Sequence, residues 1–271
     1  MHQFYYHNAR DVLYHVSRNI HAYGEKVAPR DQKTRELRHV TITVEDPTAC
    51  LCSGMGRGFN PRLAAAETLQ LIGGFADPEW MTRVAPRYLE FTGGAMTGAY
   101  GPRLRDQLGL CEDALRKDRD TRQAVATIWT PERDLMQEHG DRPCTVYLSF
   151  MIRNERLILS TYMRSQDILL GWTYDSVMFQ QLLCSMANVL DVAVGEHVHT
   201  VQSLHLYERD IEQMLHINQP DYMITQRLHG LDGNTWDDVQ ELARNISYNP
   251  NFPIETPTEH WLQEQSTMAR V

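Results

Sequence analysis

The chain lacks most of what would send it to a membrane, an export route or a nucleic acid. In 271 residues no run approaches the roughly 18 consecutive apolar residues of a membrane span. The opening Met1-His2-Gln3-Phe4-Tyr5-Tyr6-His7 has neither the basic start nor the apolar stretch of a signal peptide. A cytoplasmic protein without a membrane partner is the expectation. Basic residues are outnumbered, 26 Lys and Arg against 35 Asp and Glu, for a formal net charge of −9. That balance argues against a nucleic-acid partner, while a few converging arginines could still hold a small anion. Cysteines are few and odd in number: Cys50, Cys52, Cys111, Cys144 and Cys184, which speaks against a disulfide framework. Cys50-Leu51-Cys52 could be half a metal site, but no second cysteine pair at zinc spacing follows, and no metal is expected. Cys184 lies in an apolar helical pattern and reads as a small buried hydrophobe.

Repeats and linkers are also missing, and 42% hydrophobic content supports a large core. The pattern is that of one α+β domain spanning 1–271, with a mixed sheet packed against helices and a peripheral tail from about 218 to 271. Val12, Leu13, Val16 and Ile20 mark a helix from about Ala9 to Tyr23. A polar loop from Gly24 to Arg35 leads to a strand in which Val40, Ile42 and Val44 alternate with polar residues. Asn60-Pro61 opens a helix that runs to about Ile72 and stops at Gly73-Gly74. The Gly-rich stretch from Thr92 to Gly101 reads as a loop approaching a ligand, followed by a helix from Leu104 to Leu115 and a strand from Arg122 to Trp129. Strands from Thr145 to Ile152 and from Leu157 to Met163 flank a polar hairpin. A helix from Tyr174 to Leu190 is broken by Gly195, and a last strand runs from His197 to Tyr207. Beyond Ile217 only a short helix at Trp236–Arg244 stands out.

Several residues stand where chemistry is possible. Cys144 opens one strand and Arg164 ends the next, and a neighbouring cation is one way to turn a thiol into a nucleophile. Glu67 sits in the apolar run Leu63-Ala64-Ala65-Ala66-Glu67-Thr68-Leu69. A carboxyl there is either partly exposed or an acid–base group raised toward neutrality. His197 and His199 share one strand face, as do His205 and Tyr207. The first pair suits packing or a metal, but no third ligand at sensible spacing is apparent.

The order of these residues along the chain carries a resemblance. Glu67 is followed by Gly98-Ala99-Tyr100-Gly101, Asp120-Thr121-Arg122, Pro143-Cys144, Met163-Arg164-Ser165-Gln166-Asp167, Gly171 and Leu204-His205-Leu206-Tyr207. This succession resembles the thymidylate synthase superfamily, from about Ala9 to about residue 215 and most tightly from Cys144 to Tyr207. Within it, Thr145 stands where thymidylate synthases carry histidine, Met163 where they usually carry glutamine, and Asp175 where they carry asparagine. These departures are similar to the deoxycytidylate hydroxymethylases of bacteriophages.

The resemblance implies a thymidylate synthase-like fold, a homodimer joined sheet to sheet, and 5,10-methylenetetrahydrofolate as cofactor. The substrate it implies is a pyrimidine nucleoside monophosphate, with dCMP favoured. It implies Cys144 as nucleophile toward C6, Glu67 as water-positioning acid–base group, and Tyr100 in proton abstraction from C5. Arg164, Ser165 and Arg30 would hold the phosphate, with Arg122 reaching the partner's site. His205 and Tyr207 would hold the sugar hydroxyl, and Asp167 and Gly171 would border the folate. Tyr88 or Phe91 would replace a folate-facing tryptophan. Asp175 would select cytosine, because an ionised carboxylate accepts from N4–H but cannot donate to O4 of uracil. Methylation of dCMP, hydroxymethylation of CMP, thymidylate synthesis from dUMP and a catalytically silent nucleotide-binding member are the alternatives.

Overall fold

In a computed structural model that describes residues 2–53, 55–56, 58–86, 88, 96–136, 141–219 and 226–268, eight strands form one mixed sheet. Strand β1 (His2–Tyr6) precedes helix α1 (Ala9–Tyr23), then come β2 (Glu25–Val27), β3 (Thr34–Val44), α2 (Pro61–Gly73) and α3 (Pro78–Val84). The middle of the chain supplies α4 (Tyr100–Leu104), α5 (Gln107–Lys117), β4 (Val125–Thr127) and α6 (Pro131–Asp134). The site-bearing part is β5 (Thr145–Arg153), β6 (Arg156–Met163), β7 (Gln166–Asp167), α7 (Gly171–Val189) and β8 (Ala193–Tyr207), followed by α8 (Ile211–Leu215), α9 (Trp236–Tyr248) and α10 (Pro257–Met268).

The strand order is β1-β3-β8-β6-β5-β4, with β2 beside β3 and β7 beside β8. β8 is central, antiparallel to β3 and parallel to β6 and β7. Alternation along β8 buries His197, His199 and Val201, changes phase at Gln202-Ser203, and then buries Leu204 and Leu206, with α1 and α7 packed on the strand. The helices start where chemistry says they should. Asn8 accepts from the backbone N–H groups of Arg10 and Asp11 at α1, and Asn60 from those of Arg62 and Leu63 at α2. Gly74, at φ 69°, closes α2 in the left-handed conformation that glycine adopts without strain. The α+β arrangement expected from the sequence is present. Among the described residues no helix is long and apolar enough to cross a membrane.

Several expected boundaries differ. The loop from Gly24 to Arg35 contains β2, which pairs with the start of β3. The expected single helix from Leu104 to Leu115 is two, α4 and α5. The break lies at Arg105-Asp106, where the Arg105 side chain donates to Gly74 O at 2.7 Å. The apolar period of Leu104, Leu108, Cys111 and Leu115 runs across that break and conceals it. Tyr100 and Gly101 belong to α4 rather than to a loop, while Thr92 to Ala95 lie outside the described residues. Regular pairing of the Arg122–Trp129 strand is confined to Val125–Thr127. Gly195 does not break a helix. The chain reverses at Asp191 (φ 50°), and Gly195 lies within β8, where a Cβ would come within 2.5 Å of Leu157 O. The segment beyond 218, expected at the periphery, supplies core. Trp236, Val239, Ala243 and Ile246 of α9 and Leu262 of α10 are buried, and both helices pack on α2.

One buried ion pair ties the middle of the chain to the sheet end. Arg103 of α4 forms a two-pronged bridge with Asp134 of α6 at 2.7 Å and also donates to Thr97 O and Ile128 O. Both side chains are almost wholly excluded from solvent. Removing one partner strands a buried charge, whereas the exposed Arg38–Glu25 pair has water as a substitute. Asp134→Ala is therefore expected to cost about 3–5 kcal/mol of unfolding free energy and Glu25→Ala under about 1 kcal/mol, as read by urea denaturation.

Candidate active site

The site begins at the junction of β5 and β6. Thr145 pairs with Met163, so Cys144 and Arg164 lie side by side just outside the strands, joined by the Arg164 N–H donating to Cys144 O at 2.9 Å. The Arg164 guanidinium donates to Pro143 O and Arg142 O, leans over the Trp129 ring, and brings Nη2 to 3.7 Å from Cys144 Sγ. Cys144 is half-buried, and the other four cysteines are fully buried. Burial pushes the Cys144 thiol above its ordinary pKa, and Asp175 and Asp141 add to that. The positive charges of Arg164 and Arg30 pull the other way without overcoming it. Arg164 thus supplies both a fixed cation beside the thiol and a clamp that holds the backbone around Cys144.

Beside the thiol is a cavity of about 200 Å³ lined by Cys144, Glu67, Tyr100 and Asp175. Glu67 arrives on α2, whose Ala64, Ala65 and Ala66 are buried, leaving the carboxyl facing the cavity. Asp175 arrives on α7. Burial, then the charge of Asp175, pushes Glu67 up to about 8. Burial likewise lifts Asp175 to about 7, with Asp167 adding to the rise and a hydrogen bond from Gln166 Nε2 at 3.0 Å opposing it. A Glu near 8 can hold a proton at neutral pH and release it to a partner, as a general acid–base group must. The Tyr100 hydroxyl accepts from Thr145 N–H at 3.3 Å, and its ring stacks on Phe179. Leu71, Phe75, Met81 and Met178 form an apolar wall, with Tyr88 at its edge. Phe91 lies outside the described residues.

The remaining expected residues divide. Ser165 follows Arg164 directly and is half-buried. His205 and Tyr207, at the end of β8, meet edge to face at 5.1 Å, and Asp167 pairs in register with His205. Burial holds His205 below its ordinary pKa, against the pull of Asp167, and burial raises Asp167. Asp167 also accepts from Leu169 and Leu170 N–H, which sets the turn into α7. A Cβ at Gly171 would lie 3.5 Å from Asp175 Oδ2, so glycine leaves the approach to that carboxylate open. Arg30 is exposed in a left-handed conformation, and its charge lowers the pKa of both Cys144 and His205. Arg122 is exposed and does not line the cavity. His197 and His199 both bond Thr161 Oγ1 inside the core.

Besides the apolar wall, the polar residues Asp141 and Gln166 were not expected at the site. Asp141 lines the cavity and accepts from Gly98 N–H at 2.7 Å, fixing the entry to α4. Gln166 holds Asp175. Its place two residues after Arg164 was a usable signal, since Gln166 opens the short strand that pairs with β8.

Comparison with known proteins decides what this arrangement is. The thymidylate synthase family model matches residues 74–252. The chain belongs to the thymidylate synthase family. It is 34% identical over 206 residues to a deoxyuridylate hydroxymethyltransferase of Bacillus phage SP01, covering 69% of this chain and 54% of that protein. A deoxyuridylate hydroxymethyltransferase of Pseudomonas phage M6 is 30% identical over 167 residues (58% of this chain, 48% of that protein). A thymidylate synthase of Mycoplasma mobile is 24% identical over 158 residues, 54% of each chain. The chain spans about half the length of these relatives. The family membership inferred from Cys144 to Tyr207 therefore stands.

In this family member the raised Glu67 has a consequence for stability. Its folded pKa of about 8 exceeds the ordinary 4.5, so between those values the folded state holds a proton that the unfolded chain has lost. Stability from this group falls as pH rises through that window. Glu67→Gln should therefore raise stability at about pH 8 more than at about pH 4.5, and chemical denaturation at the two pH values reads the difference. An unchanged pH slope would mean that Glu67 does not titrate there. Separately, Arg164→Leu is expected to slow alkylation of Cys144 by iodoacetamide at neutral pH by about tenfold, because it removes the cation that opposes burial.

Proposed function

We propose that the protein transfers a one-carbon unit to C5 of a cytidine monophosphate, dCMP above CMP, and releases the 5-hydroxymethyl nucleotide. The observation that carries this reading is a carboxyl, Asp175, in the cavity beside Cys144, at the position where the resemblance gives thymidylate synthases an asparagine. Cytosine offers an N4–H donor and an unprotonated N3. A carboxyl accepts the first and shares a proton with the second, whereas an ionised one faces O4 of uracil with no donor. Leaving a buried polar group unpaired costs about 1–3 kcal/mol.

The chemistry assigned to the side chains is covalent. Cys144 Sγ bonds to C6, the C5=C6 double bond opens, and C5 becomes nucleophilic. Methylenetetrahydrofolate, when bound, supplies carbon at the oxidation level of formaldehyde, and the apolar wall of Leu71, Phe75, Met81 and Met178 with Tyr88 suits a flat heterocycle. Once C5 has bonded to that carbon, Tyr100 would assist removal of the C5 proton as the carbon–nitrogen bond to the carrier breaks and tetrahydrofolate departs with its electron pair. Glu67 orients water toward the exocyclic methylene this leaves, and loss of the thiol from C6 restores the ring. Arg164, Ser165 and Arg30 hold the phosphate, His205 and Tyr207 the sugar hydroxyl, and Asp167 and Gly171 border the folate. The protein works as a homodimer joined through the sheet, with Arg122 reaching the other subunit's phosphate and Gln123 replacing a second arginine. Its setting is the cytoplasm, that of the host if a phage encodes it.

A second reading is dUMP hydroxymethylation, favoured by two relatives that are deoxyuridylate hydroxymethyltransferases and by the pKa of about 7 at Asp175. A protonated carboxyl has one donor and one acceptor, as a carboxamide has, and can pair with uracil. Raising the pH through about 7 should therefore depress use of dUMP more than use of dCMP.

Incubation with dCMP, CMP or dUMP plus methylenetetrahydrofolate, read by product mass, tests the proposal. A gain of CH2O on dCMP is expected. A gain of CH2 would mean methylation, and preference for dUMP would overturn the role of Asp175. Asp175→Asn is expected to move the dCMP-to-dUMP preference toward dUMP by at least about tenfold.

A further inference from the structure

Behind Asp175 the sheet carries a buried chain of hydrogen bonds that the catalytic scheme does not use. Gln166 Nε2 donates to Asp175 Oδ2 at 3.0 Å, and Gln166 Oε1 contacts His199 Nε2. His199 Nδ1 is 2.6 Å from Thr161 Oγ1, which is 3.0 Å from His197 Nε2. Gln166, His199, Thr161 and His197 are each 2% exposed or less. Beyond His197 the chain ends, because its Nδ1 has no hydrogen-bond partner among the described residues.

Counting protons fixes the direction of this chain. A neutral imidazole has one donor and one acceptor, and threonine has a single hydrogen to give. Burial holds His197 down at about 3 and His199 well below its ordinary pKa, so both rings are neutral. An orphaned buried N–H is rarer than an orphaned acceptor, so the unpartnered His197 Nδ1 carries no proton. His197 Nε2–H then donates to Thr161, Thr161 to His199 Nδ1, and His199 Nε2–H to Gln166 Oε1. That last bond turns the Gln166 amide so that its NH2 faces Asp175. If the chain reversed, Gln166 would present its oxygen and call for a protonated Asp175, the form that also fits uracil.

We propose that His197, Thr161, His199 and Gln166 form a one-way hydrogen-bond relay that keeps Asp175 Oδ2 an acceptor and so sharpens base selection. These are positioning residues acting through Asp175. The inference rests on the reading of Asp175 as the group that faces the base.

The test is the ratio of kcat/KM for dCMP to that for dUMP, measured in Gln166→Met, Thr161→Val and both again with Asp175→Asn. Gln166→Met, which keeps size but removes the donor to a carboxylate, is expected to change the ratio by about tenfold toward dUMP. Thr161→Val, nearly isosteric and two links away, is expected to shift it the same way by about two- to threefold. With Asn at 175 both shifts should vanish, because the amide no longer depends on the relay. The relay is overturned if folded Gln166→Met and Thr161→Val leave the ratio unchanged, or if the shifts persist undiminished beside Asp175→Asn, which marks a general packing effect. Should Gln166→Met fail to fold, Thr161→Val decides. A wild-type preference for dUMP would sink the cytosine reading alone, since the change in ratio on mutation still decides the relay.

Discussion

The register of β5, β6 and β8 is the constraint on which the site depends. Thr145 faces Met163, Met163 faces Val201, and Asp167 faces His205. Side chains alternate along strands, so a slip of one residue would turn every one of these positions to the opposite face. The apolar half of the pattern resists that slip. Leu148, Phe150, Leu157, Leu159, Val201 and Leu204 are all buried on the helix side. Core packing thus brings Cys144, Arg164, Asp167 and His205 to one end of the sheet. The geometry of the candidate site follows from a hydrophobic pattern that contains none of the candidate site residues.

Within that frame, burial and charge oppose each other. Burial is the largest influence on Cys144, Glu67, Tyr100 and Asp175, and in each it favours the neutral form. Arg164 opposes it at the thiol, and Gln166 opposes it at Asp175. The cavity therefore keeps Glu67 and Asp175 near the pH at which protons move easily, while two specific donors bias individual groups toward charge. A phosphate dianion near Arg164 and Arg30 would spend some of that positive charge. On the proposed assignment, substrate binding and thiol activation would be electrostatically linked at the same two arginines.

Much of this was legible in the sequence where the signal was local and periodic. The Asn60-Pro61 start and Gly73-Gly74 stop of α2 and the apolar steps of α1 and α7 mark those elements within a few residues. The cluster from Pro143-Cys144 to His205 and Tyr207 pointed to the family because its residue types are held at fixed spacings. Other features were illegible because they depend on distant partners. The break at Arg105 is made by Gly74 O and by the Gln240 side chain, from elements far along the chain. The C-terminal helices are core because α2 offers them a face, not because their sequences are strongly apolar. Gln166 carried no reading of its own, and His199 was read with His197 as packing or a metal pair. Their meaning appears only when β7 and β8 lie side by side.

The central claim is that Cys144 adds to C6 of a cytosine ring read by Asp175. A 5-fluoro nucleotide tests it directly, because fluorine cannot leave C5 as the proton does and the covalent adduct stalls. The protein would be mixed with methylenetetrahydrofolate and either 5-fluoro-dCMP or 5-fluoro-dUMP, then analysed by intact and peptide mass. The account predicts a covalent complex on the Cys144 peptide that forms faster with the cytidylate. An adduct on another residue, or one that forms only with the uridylate, would contradict it.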